Sequence, residues 1–405
     1  MNAVPILSSD PLFEDQAART LMHALHGGAD FGECITTMSR VAPGDADAWH
    51  REWTATADRV AALGDDAFAR GHRTSAAEAW LRASNYYRTS YIFLYGNPVS
   101  AALASAFDRE AAAFAKAAAA MEPPIAAVEI PFEGTTLPGY FVSGGDGTRP
   151  LLVCTNGYDS TVHEMYFAFA VAARKRGWHC LLFDGPGQGR ALIKQGLFIR
   201  PDWENVVRPV IDFALTLPGV DVRRIALSGW SFGGYLSLRA ATGEPRLAAL
   251  VSDPGLPGLA DGMRTMFASL PAEALADPLT ADPALFAPYV ASMERDAGTR
   301  WKFLQRGPMV HGVSSLQGYL AAALAFDTRG LLDRIACPAF IGCEESDPLA
   351  RGAPAVYEAL QCPKLLARFT AAEGAGDHCA MSGRSLFLAR MFDWLDDTLK
   401  TGRSA

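Results

Sequence analysis

Apolar residues recur at helical spacing through the first 125 positions, in segments around Asp45–Leu63, Ser75–Tyr95 and Ser100–Met121 that are also rich in alanine. Gly64, Gly71-His72 and Gly96-Asn97-Pro98 read as breaks between helices, and Pro123-Pro124 closes the helical region. From Ala126 the pattern changes. Val128–Phe132 and Leu137–Val142 alternate like an antiparallel pair joined at Glu133-Gly134. Short apolar runs then alternate with helical segments: strand Leu151–Thr155, helix His163–Arg176, strand Trp178–Phe183, helix Trp203–Leu217, strand Arg224–Ser228, a helix from Ser231, strand Leu247–Ser252. The alternation resumes with strand Ala339–Gly342, helix Ala353–Leu360, strand Leu365–Phe369 and a last helix Arg384–Leu399. Strands alternating with helices predict an α/β fold with a mostly parallel sheet covered on both faces. Between Pro254 and about Ala325 the alternation gives way to proline-punctuated helix, expected as a cap inserted over the sheet's carboxyl edge. The expected organisation is a helical domain over 1–125 and an α/β domain over 126–405 with the cap at about 254–325.

Composition narrows the class. Half of the 405 residues are apolar and a fifth charged, as in a globular chain with a sizeable core. A net charge of −8 and the lack of a Lys/Arg-rich run argue against a nucleic-acid partner. No stretch of eighteen apolar residues occurs, so no membrane span is expected, and Met1–Asp10 lacks the pattern of a secretory leader. The seven cysteines are odd in number and form no C-x-x-C pair, which reads as reduced thiols and a cytoplasmic setting. No histidine cluster has metal-ligand spacing, so neither metal nor cofactor is expected.

The chemistry concentrates after the Arg224–Ser228 strand, which runs into Gly229-Trp230-Ser231-Phe232-Gly233. G-x-S-x-G between a strand and a helix is a nucleophile elbow, a sharp turn that presents the serine hydroxyl. A serine needs a base to take its proton, and the base needs an acid to orient it. In this arrangement the partners follow in the order Ser, acid, His. Asp347 follows the Ala339–Gly342 strand and His378 follows the Leu365–Phe369 strand, both in loops at strand carboxyl ends. Glu344 and Glu345 are alternative acids, and Asp377 reads as a turn-shaping residue. The oxyanion donors are expected to be the backbone N–H groups of Phe232 and of Tyr158, in Asn156-Gly157-Tyr158-Asp159-Ser160. Asp184-Gly-Pro-Gly-Gln-Gly189 looks like a phosphate loop but is not G-x-G-x-x-G, and Pro186 sits where a helix N-terminus needs free N–H groups. Substrate contacts are expected from the aromatic run that includes Tyr91 and Tyr95, from Trp230 beside the serine, and from His311 in the cap.

Asn156-Gly-Tyr-Asp-Ser160, Phe183-Asp-Gly-Pro-Gly-Gln-Gly189, Gly229-Trp-Ser-Phe-Gly-Gly234, Glu244-Pro-Arg-Leu247, Ile335-Ala-Cys-Pro338 and Gly376-Asp-His378 together resemble one group. It is the α/β-hydrolases with a helical N-terminal domain, which include 2,6-dihydroxypseudooxynicotine hydrolase, fungal polyketide chain-shortening hydrolases and fermentation-respiration switch esterase-like proteins. The resemblance runs from about Ala76 to Leu399. It implies an α/β-hydrolase fold, Ser231, Asp347 and His378 as a triad, a homodimer, and cleavage of a carbon–carbon bond beside a ketone or of an ester. The nicotine-pathway enzyme looks to use a cap-region glutamate; here Gly258-Leu-Ala-Asp-Gly-Met-Arg264 offers Asp261 as the nearest carboxylate. The expected function is hydrolysis of a small ketone, ester or thioester. A cyclase, lyase or acyltransferase on the same triad is the second reading, and a ligand-binding protein on a hydrolase scaffold the third.

Overall fold

The computed structural model describes residues 6–400. The first five positions of Met1–Asp10, a stretch read above as lacking a leader, lie outside the described residues. The chain divides into two compact units. One is formed by the residues up to Ile125 together with Ile193–Phe198 and Ala260–Ala325. The other comprises Ala126–Leu192, Ile199–Leu259 and the residues from Phe326 onward.

The first unit is helical. Its N-terminal helices are α1 (Pro11–Met22), α2 (Phe31–Met38), α3 (Ala46–Ala69), α4 (Arg73–Ser90) and α5 (Ala101–Ala120). Asp10, Asp30, Asp45 and Ser100 each accept a backbone N–H from the first turn of the helix they precede, which satisfies donors that the helix itself cannot. Gly64, expected as a break, lies inside α3. A Cβ there would stand 2.6 Å from the Trp80 indole, so the glycine lets α3 and α4 pack closely instead of ending a helix. The 260–325 stretch belongs to this unit: Trp301 donates its indole N–H to the Ile92 carbonyl (3.0 Å) and meets Phe93 edge-on.

The second unit carries an eight-stranded sheet in the order β1-β2-β4-β3-β5-β6-β7-β8. The strands are β1 (Ala126–Phe132), β2 (Thr135–Val142), β3 (Arg149–Thr155), β4 (His179–Phe183), β5 (Val220–Trp230), β6 (Ala249–Asp253), β7 (Ala339–Glu344) and β8 (Lys364–Phe369). β2 is antiparallel to β1 and β4, and all pairs among β3 to β8 are parallel. The expected hairpin closes at Glu133-Gly134, where both residues have positive φ as a two-residue turn requires. β4 and β6 are buried at every position, the signature of parallel strands covered on both faces. Edge strands β1 and β8 are partly exposed, and buried and exposed residues alternate over their last three positions. Among the described residues, no helix is long and apolar enough to cross a membrane.

Chain order reverses at β3: the chain leaves it for β4 on one side, while β5 pairs on the other. The carboxyl ends of β3 and β5 lie side by side, Thr155 opposite Gly229. That is the crevice where open parallel sheets gather their functional groups.

Candidate active site

Ser231 follows directly on β5 and has φ +60, a conformation that costs a non-glycine residue about 1–3 kcal/mol. The helix Gly233–Ala241 begins two residues later. The turn is tight enough that a Cβ on Gly229 would lie 1.8 Å from the Gly233 carbonyl oxygen. Ser231 N–H donates to the Asp253 carbonyl at the end of β6 (2.6 Å), which ties the strained residue to the neighbouring strand.

The Ser231 Oγ lies 2.8 Å from His378 Nε2, and His378 Nδ1 lies 2.7 Å from Asp347 Oδ2. The other Asp347 oxygen accepts the Leu349 N–H (2.9 Å), so the carboxylate is held on both sides. Its side chain is 1 % exposed and that of His378 is 35 % exposed, so the carboxylate is dry while the imidazole reaches solvent. Ser346 N–H donates to the Gly376 carbonyl (2.7 Å), joining the loop of the acid to the loop of the base. The other acids have different partners. Glu345 accepts from the Ala371 N–H, and Asp377 accepts from the backbone and hydroxyl of Ser382. A cavity of about 350 Å³ backs onto the acid loop, with Glu344, Asp347, Arg351 and Arg368 in its lining.

The Asn156–Ser160 loop packs against the serine. A Cβ on Gly157 would be 3.0 Å from the Ser231 Cβ, so the missing side chain lets the two segments approach closely. The Tyr158 ring meets the Phe232 ring edge-on at 5.2 Å. The Asp184–Gly189 loop, which the sequence left without a role, supports this turn. Asp184 accepts from the Asn156 amide (2.6 Å) and the Val162 N–H (2.9 Å). Gln188 donates to the Asn156 and Gly157 carbonyls (2.8 and 3.2 Å). The loop therefore fixes the segment beside Ser231, and the motif itself was the signal for it.

Beneath Ser231 and His378 lies a buried charged cluster that the sequence does not signal. Asp253 Oδ2 accepts from Arg384 Nη1 at 2.6 Å, with the two side chains 0 % and 3 % exposed. Burial pushes the Asp253 carboxyl up to about 6 despite Arg384. Glu344 is also buried, and its carboxyl is pushed up to about 9 by burial and by the nearby charges of Asp253 and Asp347. A protonated Glu344 leaves two carboxylates here at neutral pH, Asp347 and Asp253, with Arg384 as counter-charge. Cys379, adjacent to the base, is buried with its thiol raised well above the ordinary range by desolvation.

The expected substrate contacts fall in several environments. Trp230 is buried, its ring 5.7 Å from the Arg384 guanidinium. Tyr91 is buried in the helical unit with its hydroxyl bonded to Glu110, and the Tyr95 ring stacks on it at 6.3 Å. His311 is buried edge-on against Tyr319, and desolvation lowers it to about 3, so it is neutral at physiological pH. Asp261 is exposed in the first turn of the helix Ala260–Met266, with Arg264 3.3 Å away. Among the described residues, no group of three or more His, Cys, Asp or Glu could hold a metal ion.

A serine in a tight strand-to-helix turn, in line with a histidine and an aspartate, stands at the carboxyl ends of a mostly parallel sheet. The chain belongs to the alpha/beta hydrolase family, whose model matches residues 151–390. A second model, described as esterase FrsA-like, matches residues 38–256. The chain is 34% identical to hydrolase acrC of Aspergillus aculeatus, over 96% of this chain and 97% of that one. It is 32% identical to 20-hydroxy-prefusarin hydrolase FUS2 of Gibberella moniliformis, over 98% and 99%. The crystal structure of 2,6-dihydroxy-pseudo-oxynicotine hydrolase superposes with a TM-score of 0.72 at 25% identity, covering 96% of this chain and 97% of that one. The protein is an enzyme, a hydrolase.

Proposed function

We propose that Ser231 is the nucleophile, His378 the general base and Asp347 the orienting acid in hydrolysis of a small ketone, ester or thioester. The observation that carries this reading is the unbroken line from Ser231 Oγ through both ring nitrogens of His378 to Asp347. Nε2 takes the hydroxyl proton as Oγ attacks the carbonyl carbon, and Nδ1–H donates to Asp347, which fixes the tautomer and stabilises the imidazolium. The carbonyl oxygen becomes an oxyanion received by the backbone N–H groups of Phe232 and Tyr158. Collapse of the tetrahedral species expels the leaving group, an alkoxide, thiolate or stabilised carbanion, which takes the proton from His378. Water activated by the same imidazole then releases the acyl group from Ser231.

Relatives named for 2,6-dihydroxy-pseudo-oxynicotine and 20-hydroxy-prefusarin support a small organic substrate over a polymer. Trp230, beside Ser231, is the proposed determinant of its selection. The test is intact-mass labelling with a fluorophosphonate. Wild type should gain one adduct and Ser231→Ala none, with turnover of any substrate reduced about 10⁶-fold in the variant. A folded wild type that gains no adduct, or a variant that keeps full turnover, would overturn the reading.

A further inference from the structure

We propose that Asp253 and Arg384 are positioning residues: a buried pair that clamps the turn carrying the base onto the backbone carrying the nucleophile. The inference rests on the reading of Ser231 and His378 just given. Asp253 closes β6 opposite Trp230 on β5, so its peptide reaches the elbow directly. Its carbonyl accepts the Ser231 N–H (2.6 Å) and lies 3.5 Å from the Cys379 Sγ. Its carboxylate accepts from Arg384 Nη1 (2.6 Å), and that same nitrogen donates to the Cys379 carbonyl (3.1 Å). One pair of side chains thus holds the residue that follows His378, while the Asp253 main chain holds Ser231.

The turn has reason to need a clamp. Cys379 and Ala380 are consecutive non-glycine residues at φ +55 and +47, a conformation that persists only where its surroundings impose it. Arg384 is itself fixed, its guanidinium lying 4.3 Å from the Phe387 ring centre and 4.6 Å from that of Phe169. Well-packed apolar residues commonly replace a buried ion pair without loss of stability, so folding alone does not explain this one. Its bonds into the backbone on both sides of the reacting atoms do. The pair also sets the local charge. His378, Asp347, Glu344, Cys379 and Cys154 are the other titratable groups around it, and Glu344 and the two thiols are protonated near neutral pH. Arg384 and Asp253 therefore cancel beside the imidazole.

The experiment follows the rate of fluorophosphonate labelling against pH in wild type, Arg384→Met, Arg384→Lys and Asp253→Asn, with circular dichroism as the control for folding. Arg384→Met should label at least about tenfold more slowly on its high-pH plateau, and Arg384→Lys, which keeps a cationic donor, should recover most of that rate. Asp253→Asn keeps an acceptor oxygen but removes the counter-charge. The surplus positive charge disfavours the imidazolium, so the midpoint of labelling should move to lower pH. Folded variants with the wild-type rate and midpoint would overturn the clamp and leave the triad standing. If Arg384→Met does not fold, an unchanged rate and midpoint in Asp253→Asn overturns it alone. A wild type that never labels would overturn the underlying reading of Ser231, and this proposal with it.

Discussion

Glu344 ends β7, Glu345 and Asp347 follow it, Asp377 precedes His378, and their surroundings separate the four. Glu345 is spent on the Ala371 N–H of the loop after β8, and Asp377 on the Ser382 N–H of its own turn. Glu344 is buried and favours its neutral form, which makes it a poor partner for an imidazolium. Asp347 is the one of the four whose carboxylate lies at Nδ1 of His378, and the Leu349 N–H holds it there. Asp347→Asn should preserve the packing but reverse the favoured tautomer, lowering turnover about 10⁴-fold. Glu345→Gln should leave the rate within about twofold; steady-state kinetics on both variants checks the pair. The order Ser231, Asp347, His378 was legible because each residue follows a strand, and strand ends converge in this topology. Asp253 and Arg384 were not legible. They lie 131 positions apart, and nothing in either local sequence marks them as partners. Only the pairing of β5 with β6 brings Asp253 under the serine.

The elbow shows how a strand and a helix can be joined with no room to spare. β5 runs to Trp230, and the helix starts at Gly233, so two residues must reverse the chain. A Cβ on Gly229 would collide with the Gly233 carbonyl at 1.8 Å, a backbone atom that cannot move aside without unwinding the first helical turn. Gly229→Ala should therefore cost about 3 kcal/mol or more and shift the urea midpoint in proportion. A stability within about 0.5 kcal/mol of wild type would show that the turn is looser than it looks. The strands themselves were legible as apolar runs, because those covered on both faces have no polar side to confuse the pattern. Gly64 was not, since a glycine that admits the Trp80 ring looks in sequence like one that ends a helix. The helical stretch around His163–Arg176 likewise hides a widened turn at Tyr166–Ala170, which apolar spacing does not signal. The Asp184–Gly189 loop was recognised as a motif without its role, because the atoms it supports lie on a different strand's loop.

Stability against pH is set by carboxyls whose folded environments pull in opposite directions. Asp202, bonded to Arg200, is lowered to about 2, so the stability it contributes is present above its unfolded value near 4 and is lost as pH falls through 2. Glu344 acts in the other sense. Its carboxyl is raised to about 9, so between about 4.5 and 9 the folded state holds a proton that the unfolded chain has released. Stability must fall with rising pH across that window, and Asp253, raised to about 6, steepens the fall at its acid end. A chain already carrying a net charge of −8 gains further self-repulsion on the same side. The folded protein should therefore be most stable near pH 4 and lose stability toward pH 9, most steeply between about 4.5 and 6. Glu344→Gln substitutes a neutral group of the same size for one that is neutral when folded, so it removes the Glu344 part of that slope. Its melting temperature should exceed that of wild type by about 3 °C or more at pH 8.5, with the difference shrinking toward pH 5. Parallel melting curves for the two proteins across pH 5–9 would mean that Glu344 ionises in the fold without cost, and the charge balance drawn beneath the serine would then carry a third carboxylate.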